Sequence, residues 1–179
     1  ILFDAKPHVG TDVLLTVVQN IRKKIIELGG EVRFGAQVTD IFSENGKLSA
    51  LEIGGCERLL CDRAVLAIGH SARDTFQALY QSGVDMQQKP FSVGVRIEHH
   101  QSMINRAQYG RFADSGLLSA AEYHINCRVP SGRGVYSFCM CPGGHVVPSA
   151  SECNTVVTNG MSNFARDGEN ANAAVQEQK

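Results

Sequence analysis

The stretch AVLAIGHSARDTFQALYQSG, Ala64–Gly83, decides the fold class. Its first part, Ala64–Ile68, is a continuous apolar run bounded by polar residues and glycine. That length and composition fit a strand covered on both faces, as in a parallel sheet. Gly69-His70 ends the run, and Ser71-Ala72-Arg73-Asp74 has the spacing of a capping box that opens a helix through Phe76, Leu79 and Tyr80. Gly83 stops that helix. A strand that turns through glycine into a helix N-terminus aims backbone N–H groups at the carboxyl edge of the sheet, where nucleotides bind. His70 and Ser71 are therefore the strongest local site candidates, weighed against a plainer reading in which Ser71 only caps and His70 only fills the turn.

Upstream, Leu14, Val17, Val18, Ile21, Ile25 and Leu28 recur at three- and four-residue steps and predict a helix over Thr11–Leu28. Thr11 suits its N-cap, Asp12 and Lys23-Lys24 suit the two ends of the dipole, and Gly29-Gly30 supplies the stop. Short β segments follow at Val32–Phe34, Val38–Phe42 and Leu48–Ile53. Asn45-Gly46 marks a hairpin, and together they predict a small antiparallel meander. The break at Gly54-Gly55 leads to the apolar pair Leu59-Leu60.

Downstream of Lys89-Pro90 the chain turns β-rich. Strands are expected at Phe91–Glu98, Ala121–Val129, Gly134–Cys141 and His145–Val147, with a short helix over Gln101–Gln108. Ser131–Gly134 reads as a hairpin turn. The tail from Arg166 to Lys179 is rich in Ala, Asn and Glu and reads as the start of a helix. The expected class is α/β (α+β), with a boundary near residue 89 dividing 1–88 from 89–179.

Composition narrows the function. The 179 residues are 43% hydrophobic and 20% charged with a net charge of −1, enough apolar content for one or two cores and no long-range pull on nucleic acid or anionic lipid. No apolar run approaches the roughly 20 residues of a membrane span, and no signal-peptide pattern opens the chain, so a cytoplasmic protein is expected. Cys56, Cys61, Cys127, Cys139, Cys141 and Cys153 lack the paired gaps of a zinc site and read as reduced, mostly buried thiols. The chain opens Ile1-Leu2-Phe3-Asp4 without an initiator methionine, which suggests an interior fragment.

Four further features carry chemistry. Cys139 and Cys141 stand two apart on an expected strand, so their side chains would share a face; packing is a better reading than a dithiol, because a CxC disulfide closes a strained ring. Pro142-Gly143-Gly144 would let backbone approach a planar ligand, or would simply turn. Arg96 alternates with Val93, Val95 and Ile97 and so points away from them, to solvent, a cleft or another domain, where it is a candidate anchor for a substrate anion. His99 and His100 face opposite ways and cannot readily hold one metal, so no metal is assigned.

The segments KPHVGTDVL (Lys6–Leu14), LAIGHSARDTF (Leu66–Phe76), KPFSVGVRIEH (Lys89–His99), GVYSFCMCPGGHVV (Gly134–Val147) and NGMS (Asn159–Ser162) together resemble the bacterial and plastid family of FAD-dependent, or NAD(FAD)-utilising, dehydrogenases. The resemblance spans most of the chain in consistent order. It implies part of a Rossmann-like FAD domain with its β-meander, interrupted by or followed by a β-rich substrate domain, incomplete here. It places FAD contacts at Val38 and at Ala67, Ile68 and Gly69 and strengthens the cofactor reading of His70 and Ser71, while Arg96, Cys141, Pro142, Gly143 and Gly144 stand as candidates for proximity to flavin or substrate on their own residue chemistry. It implies a flavin-dependent oxidoreductase acting on a small molecule, with NAD(P)H as candidate donor and no acid–base pair assigned.

The sequence departs from that family's pattern in having no GxGxxG fingerprint after a strand and no acidic residue downstream for the ribose. FAD is therefore expected to bind the full-length parent, and this chain weakly or not at all. The chain alone is expected to be inactive, with an exposed flavin-domain face prone to self-association. The rival readings are a non-catalytic nucleotide- or metabolite-binding module and an inactive structural core.

Overall fold

The computed structural model describes residues 8–178. The opening Ile1–Asp4, the Lys6 and Pro7 of KPHVGTDVL, and Lys179 lie outside the described residues. The fold is α+β, with antiparallel sheets and three α-helices among the described residues. Two compact units make it up: Leu28–Lys89, and the residues up to Glu27 together with those from Pro90 onward.

The first helix, α1 (Thr11–Glu27), has the predicted extent to within a residue. The Gly10 carbonyl accepts the N–H groups of Val13 and Leu14, so Gly10, not Thr11, holds the capping position. Thr11 is drawn elsewhere: its hydroxyl donates to the Ser162 carbonyl at 3.3 Å, and the Asp12 carboxylate accepts the Phe164 N–H at 2.9 Å. Chain 163–164 passes so close that a Cβ on Gly10 would lie 1.9 Å from the Phe164 nitrogen. Tertiary bonds thus replace the local cap. The helix ends at Gly29, whose φ of +86° is left-handed. Its periodic apolar face is uncovered, and no α1 residue is buried.

In the unit Leu28–Lys89, β1 (Val38–Glu44), β2 (Lys47–Ile53) and β3 (Glu57–Leu60) form the antiparallel meander in the order β1-β2-β3. Asn45 and Gly46 both take positive φ, +52° and +73°, as a two-residue primed turn requires. The pair Leu59-Leu60 falls in β3, whereas Val32–Phe34 forms no strand. Ala64–Ile68 is not a strand either. A strand exists only through its neighbours' hydrogen bonds, and among the described residues none pairs with this run, leaving Val65 93% exposed.

Helix α2 (Arg73–Gln81) packs on β1 and buries Leu79. The expected capping box does not form: Ala72 is the N-cap, without a side-chain bond, and the Arg73 N–H turns back to the Ser71 carbonyl at 2.9 Å. Asp74 instead accepts from the Gln37 amide at 2.5 Å. Gly83, with φ +80°, follows the helix end.

In the other unit, β4 (Ser92–His100) leads into α3 (Gln101–Tyr109). The chain then runs through β5 (Asn126–Arg128), β6 (Gly134–Cys141), β7 (Gly144–Pro148), β8 (Thr158–Ser162) and β9 (Asn170–Gln178). One antiparallel sheet has the order β4-β9-β6-β5, and β7 pairs with β8 in a second. Of the expected strand Ala121–Val129 only β5 is regular. The turn before β6 is as expected, with Gly132 at φ +83° and its N–H on the Val129 carbonyl at 2.8 Å.

The tail from Arg166 corrects the helical expectation: most of it is β9, flanked on both edges by β4 and β6. Ala171, Asn172, Ala173 and Ala174 are all buried there. Small side chains let the neighbouring layers close over a central strand, and that packing overrides alanine's helical preference.

The core of this unit joins Ile104 of α3 to Ala121 and Ala171, with Tyr109, Tyr123 and Met140 around them. Buried Gln101 fastens it. Its amide nitrogen donates to the Asn105 side chain at 2.8 Å and the Ala121 carbonyl at 2.9 Å, and its oxygen accepts the Gly143 N–H at 2.8 Å. No helix among the described residues is long and apolar enough to cross a membrane.

Candidate functional site

Strand β4 alternates as read, but its two faces are exchanged in environment. Val93, Val95 and Ile97 are exposed, while Arg96 is turned into a partly buried polar cluster. Arg96 pairs with Ala174 in register, which sets its side chain on the same face as Asn172 and Gln176 of β9. Its Nη1 donates to Asn172 Oδ1 at 2.6 Å and to the Cys139 carbonyl at 3.4 Å. The Cys141 thiol donates to that same carbonyl at 3.4 Å.

A bulge in β6 builds this arrangement. Phe138 pairs with Ala174 and Cys141 with Asn172, so Cys139 and Met140 together oppose Ala173 alone. Cys139 takes φ +48°, rare for a residue with a side chain. The bulge also breaks the alternation on which a shared face for Cys139 and Cys141 depended: Phe138 and Cys141, three apart, are the two that pair onto one face. All six cysteines are free thiols. Burial pushes the Cys139 thiol up, only partly offset by the Arg96 charge, so it is a poor thiolate at neutral pH.

Gly160 of β8 closes the cluster. A Cβ there would lie 2.1 Å from Asn172 Oδ1, 2.2 Å from Arg96 Nη1 and 2.8 Å from Cys141 Sγ. Two buried donors remain without partners, Arg96 Nε and Asn172 Nδ2. Beside them is a cavity of about 380 Å³, lined by Arg96, Cys139, Asn159 and the apolar Phe138, Val156 and Val157. Cys139 also borders a second cavity of about 390 Å³, whose polar lining includes His8, Glu122, His124 and Arg166.

Of the other residues singled out by sequence, Pro142 is fully buried and Gly143 and Gly144 lie against protein backbone. A Cβ on Gly143, whose φ is +61°, would stand 2.0 Å from the Arg166 carbonyl oxygen, and one on Gly144 2.3 Å from that of Met161. His99 stacks on Tyr123 with ring centres 5.6 Å apart. No cluster of His, Cys, Asp or Glu among the described residues has the form of a metal site.

In the unit Leu28–Lys89, Val38 and Ile68 line one groove of about 420 Å³ with Ile41, Leu51, Leu66 and Ala72. Ala67, Gly69, His70 and Ser71 do not line it and are exposed. Gly69 has φ +68° and open space around it. The groove's apolar walls fit the face of a planar ring such as adenine or a flavin. Among the described residues no glycine-rich phosphate loop accompanies it, so the residues present fit part of a dinucleotide and not its pyrophosphate.

Residues 90–177 match the family described as FAD-dependent protein, C-terminal domain-like. The match supports an FAD-dependent family and begins where the second part of its compact unit begins. A Clostridium beijerinckii protein, described as "Uncharacterized protein", is 49% identical over 176 residues, covering 98% of this chain and 33% of that protein. The chain thus spans about a third of the length of the curated relative it matches.

Sequence reasoning missed Asn172 and Gly160. Asn172 sits in the tail read as helix. Gly160 lay within the NGMS segment, but nothing in its neighbourhood signalled a close approach to Arg96.

Proposed function

We propose that this chain is part of an FAD-dependent oxidoreductase of the dehydrogenase type, in which the flavin carries the electrons and the unit built on β4, β9 and β6 holds a small-molecule substrate. The observation that carries this reading is the match of residues 90–177 to the C-terminal domain-like family of FAD-dependent proteins. Val38 and the turn Ala67–Ser71 are proposed to touch FAD, supported by the apolar groove at Val38 and Ile68. Arg96 and the stretch Cys141–Gly144 are proposed to lie near the substrate. NAD(P)H is the proposed donor, the cytoplasm the proposed location, and self-association through exposed apolar faces such as that of α1 is expected of the isolated chain.

Titration of the chain with FAD, followed by flavin fluorescence, tests this alongside the full-length Clostridium beijerinckii relative. Tight binding by the relative and weak binding by the chain support a flavin site shared with sequence beyond these residues. Absence of flavin from the relative, both as purified and after titration, sinks the flavoprotein reading and favours a non-catalytic binding module.

A further inference from the structure

We propose that Arg96, oriented by Asn172, is a receptor for the carboxylate of a small acid with an apolar body. Four observations converge on it. Among the described residues no carboxylate pairs with the Arg96 guanidinium, so a partly desolvated positive charge stands without a counter-ion. Only Nη1 is bonded. Nε is buried and unpartnered, and among the described residues the side-chain bonds of this guanidinium all run from Nη1, leaving the edge that Nε shares with Nη2. That edge is the one that grips a carboxylate with two parallel N–H bonds.

The second observation is Asn172. It is fully buried, spends its oxygen on Arg96 and leaves its Nδ2 donor unpaired. The two buried groups left unpaired in this cluster, Arg96 Nε and Asn172 Nδ2, are both N–H donors, which calls for a ligand rich in oxygen lone pairs. The third is Cys139, held at φ +48° by the β6 bulge with its carbonyl turned to Nη1. Left-handed backbone is unfavourable at a residue with a side chain, and the surroundings enforce it here where it fixes the guanidinium.

The fourth is the cavity of about 380 Å³ that Arg96 borders, whose other walls include Phe138, Val156 and Val157. That volume suits an acid of benzoate size, its carboxylate at Arg96 and its body against the valines. The inference deepens the proposed substrate role of this unit and rests on it for the word substrate. Its test contains no flavin, so failure here and failure of the FAD titration are separate results.

The probe is benzoate, with neutral benzamide as its control, titrated into the purified chain by calorimetry. The Arg96 Nε–H resonance is followed by NMR in parallel. Saturable binding of benzoate but not benzamide is expected, with a shift of the Nε–H signal. Arg96→Lys keeps the charge and loses the fork, and Asn172→Asp supplies an internal carboxylate in place of the ligand's; each should weaken benzoate at least about tenfold. Arg133→Gln, at a surface ion pair with Glu177, should leave binding unchanged. Equal binding of benzoate and benzamide, an unmoved Nε–H resonance, or wild-type affinity in Asn172→Asp overturns the proposal. If either cluster variant fails to fold, the wild-type resonance and the benzamide control decide.

Discussion

Arg96 on β4 and Asn172 on β9 are joined side chain to side chain at 2.6 Å across 76 positions of sequence. The amide that accepts this bond is fully buried, and the guanidinium that donates it has no carboxylate partner among the described residues. Asn172→Leu keeps the volume but leaves Nη1 only its longer bond to the Cys139 carbonyl, so it should destabilise the chain by about 2–3 kcal/mol. A fall in the urea midpoint at unchanged slope is the measurement. Asn172→Asp, which retains the acceptor, should unfold no earlier than the parent at neutral pH.

Gly160→Ala should cost about 1–3 kcal/mol, because its Cβ would press on Asn172 Oδ1 and Arg96 Nη1. Gly134→Ala is the matched control. A Cβ there meets nothing within 4 Å, so the same substitution should be close to neutral. Comparable losses at both positions would contradict the packing described around the cluster.

Gln101→Ala removes the acceptor of the Gly143 N–H and the donor to the Ala121 carbonyl, both in a buried setting. A loss of about 2–3 kcal/mol is expected. Hydrogen exchange at Gly143 should accelerate more than exchange in β1 or β2, which belong to the other unit.

Cys139 should alkylate slowly near neutral pH and faster as pH rises, because burial raises its pKa and only the thiolate reacts. Cys139 is exposed like Cys56 and Cys153, so mass spectrometry of iodoacetamide-treated protein should find it lagging behind them through its raised pKa and not through access. Arg96→Gln, which removes the charge favouring the thiolate, should slow it further.

Glu57 sits below the usual carboxylate range because it accepts two hydrogen bonds from Arg33, at 2.5 and 2.9 Å. A depressed carboxylate stabilises the folded form above its ordinary pKa, and that contribution disappears as pH falls through the folded value. Arg33→Gln should return Glu57 to the ordinary carboxylate range in an NMR titration. The pair is largely exposed, so the accompanying change in stability should be small and should fade with salt.

What the sequence made legible was governed by local rules. The stripe from Leu14 to Leu28, the Asn45-Gly46 hairpin and the alternation that isolates Arg96 were all readable because turn geometry and periodicity act over a few residues. Ala64–Ile68 reads as a strand from its apolar run, yet strand formation depends on paired neighbours, and none of the described strands pairs with it. β9 was misread for the complementary reason: its alanines favour helix locally, and only the strands on either side make them extended. The capping residues Thr11 and Ser71 failed similarly, the first recruited by Ser162 and the second bypassed by the backbone turn. Arg96 could be nominated from sequence, but its partner could not, since nothing local ties residue 96 to residue 172.

The position of β9 also sets an order of events. β4 and β6 do not bond to one another; each bonds to β9. As the polypeptide leaves the ribosome, the first and third strands of this sheet must wait with bare edges until residues 170–178 arrive. Closing β4 onto β9 spans more than seventy residues, so this step should be slow and should come after the Asn45-Gly46 hairpin has zipped. The unpaired edges in that interval are where misassembly would begin, and where a chaperone would have most to protect.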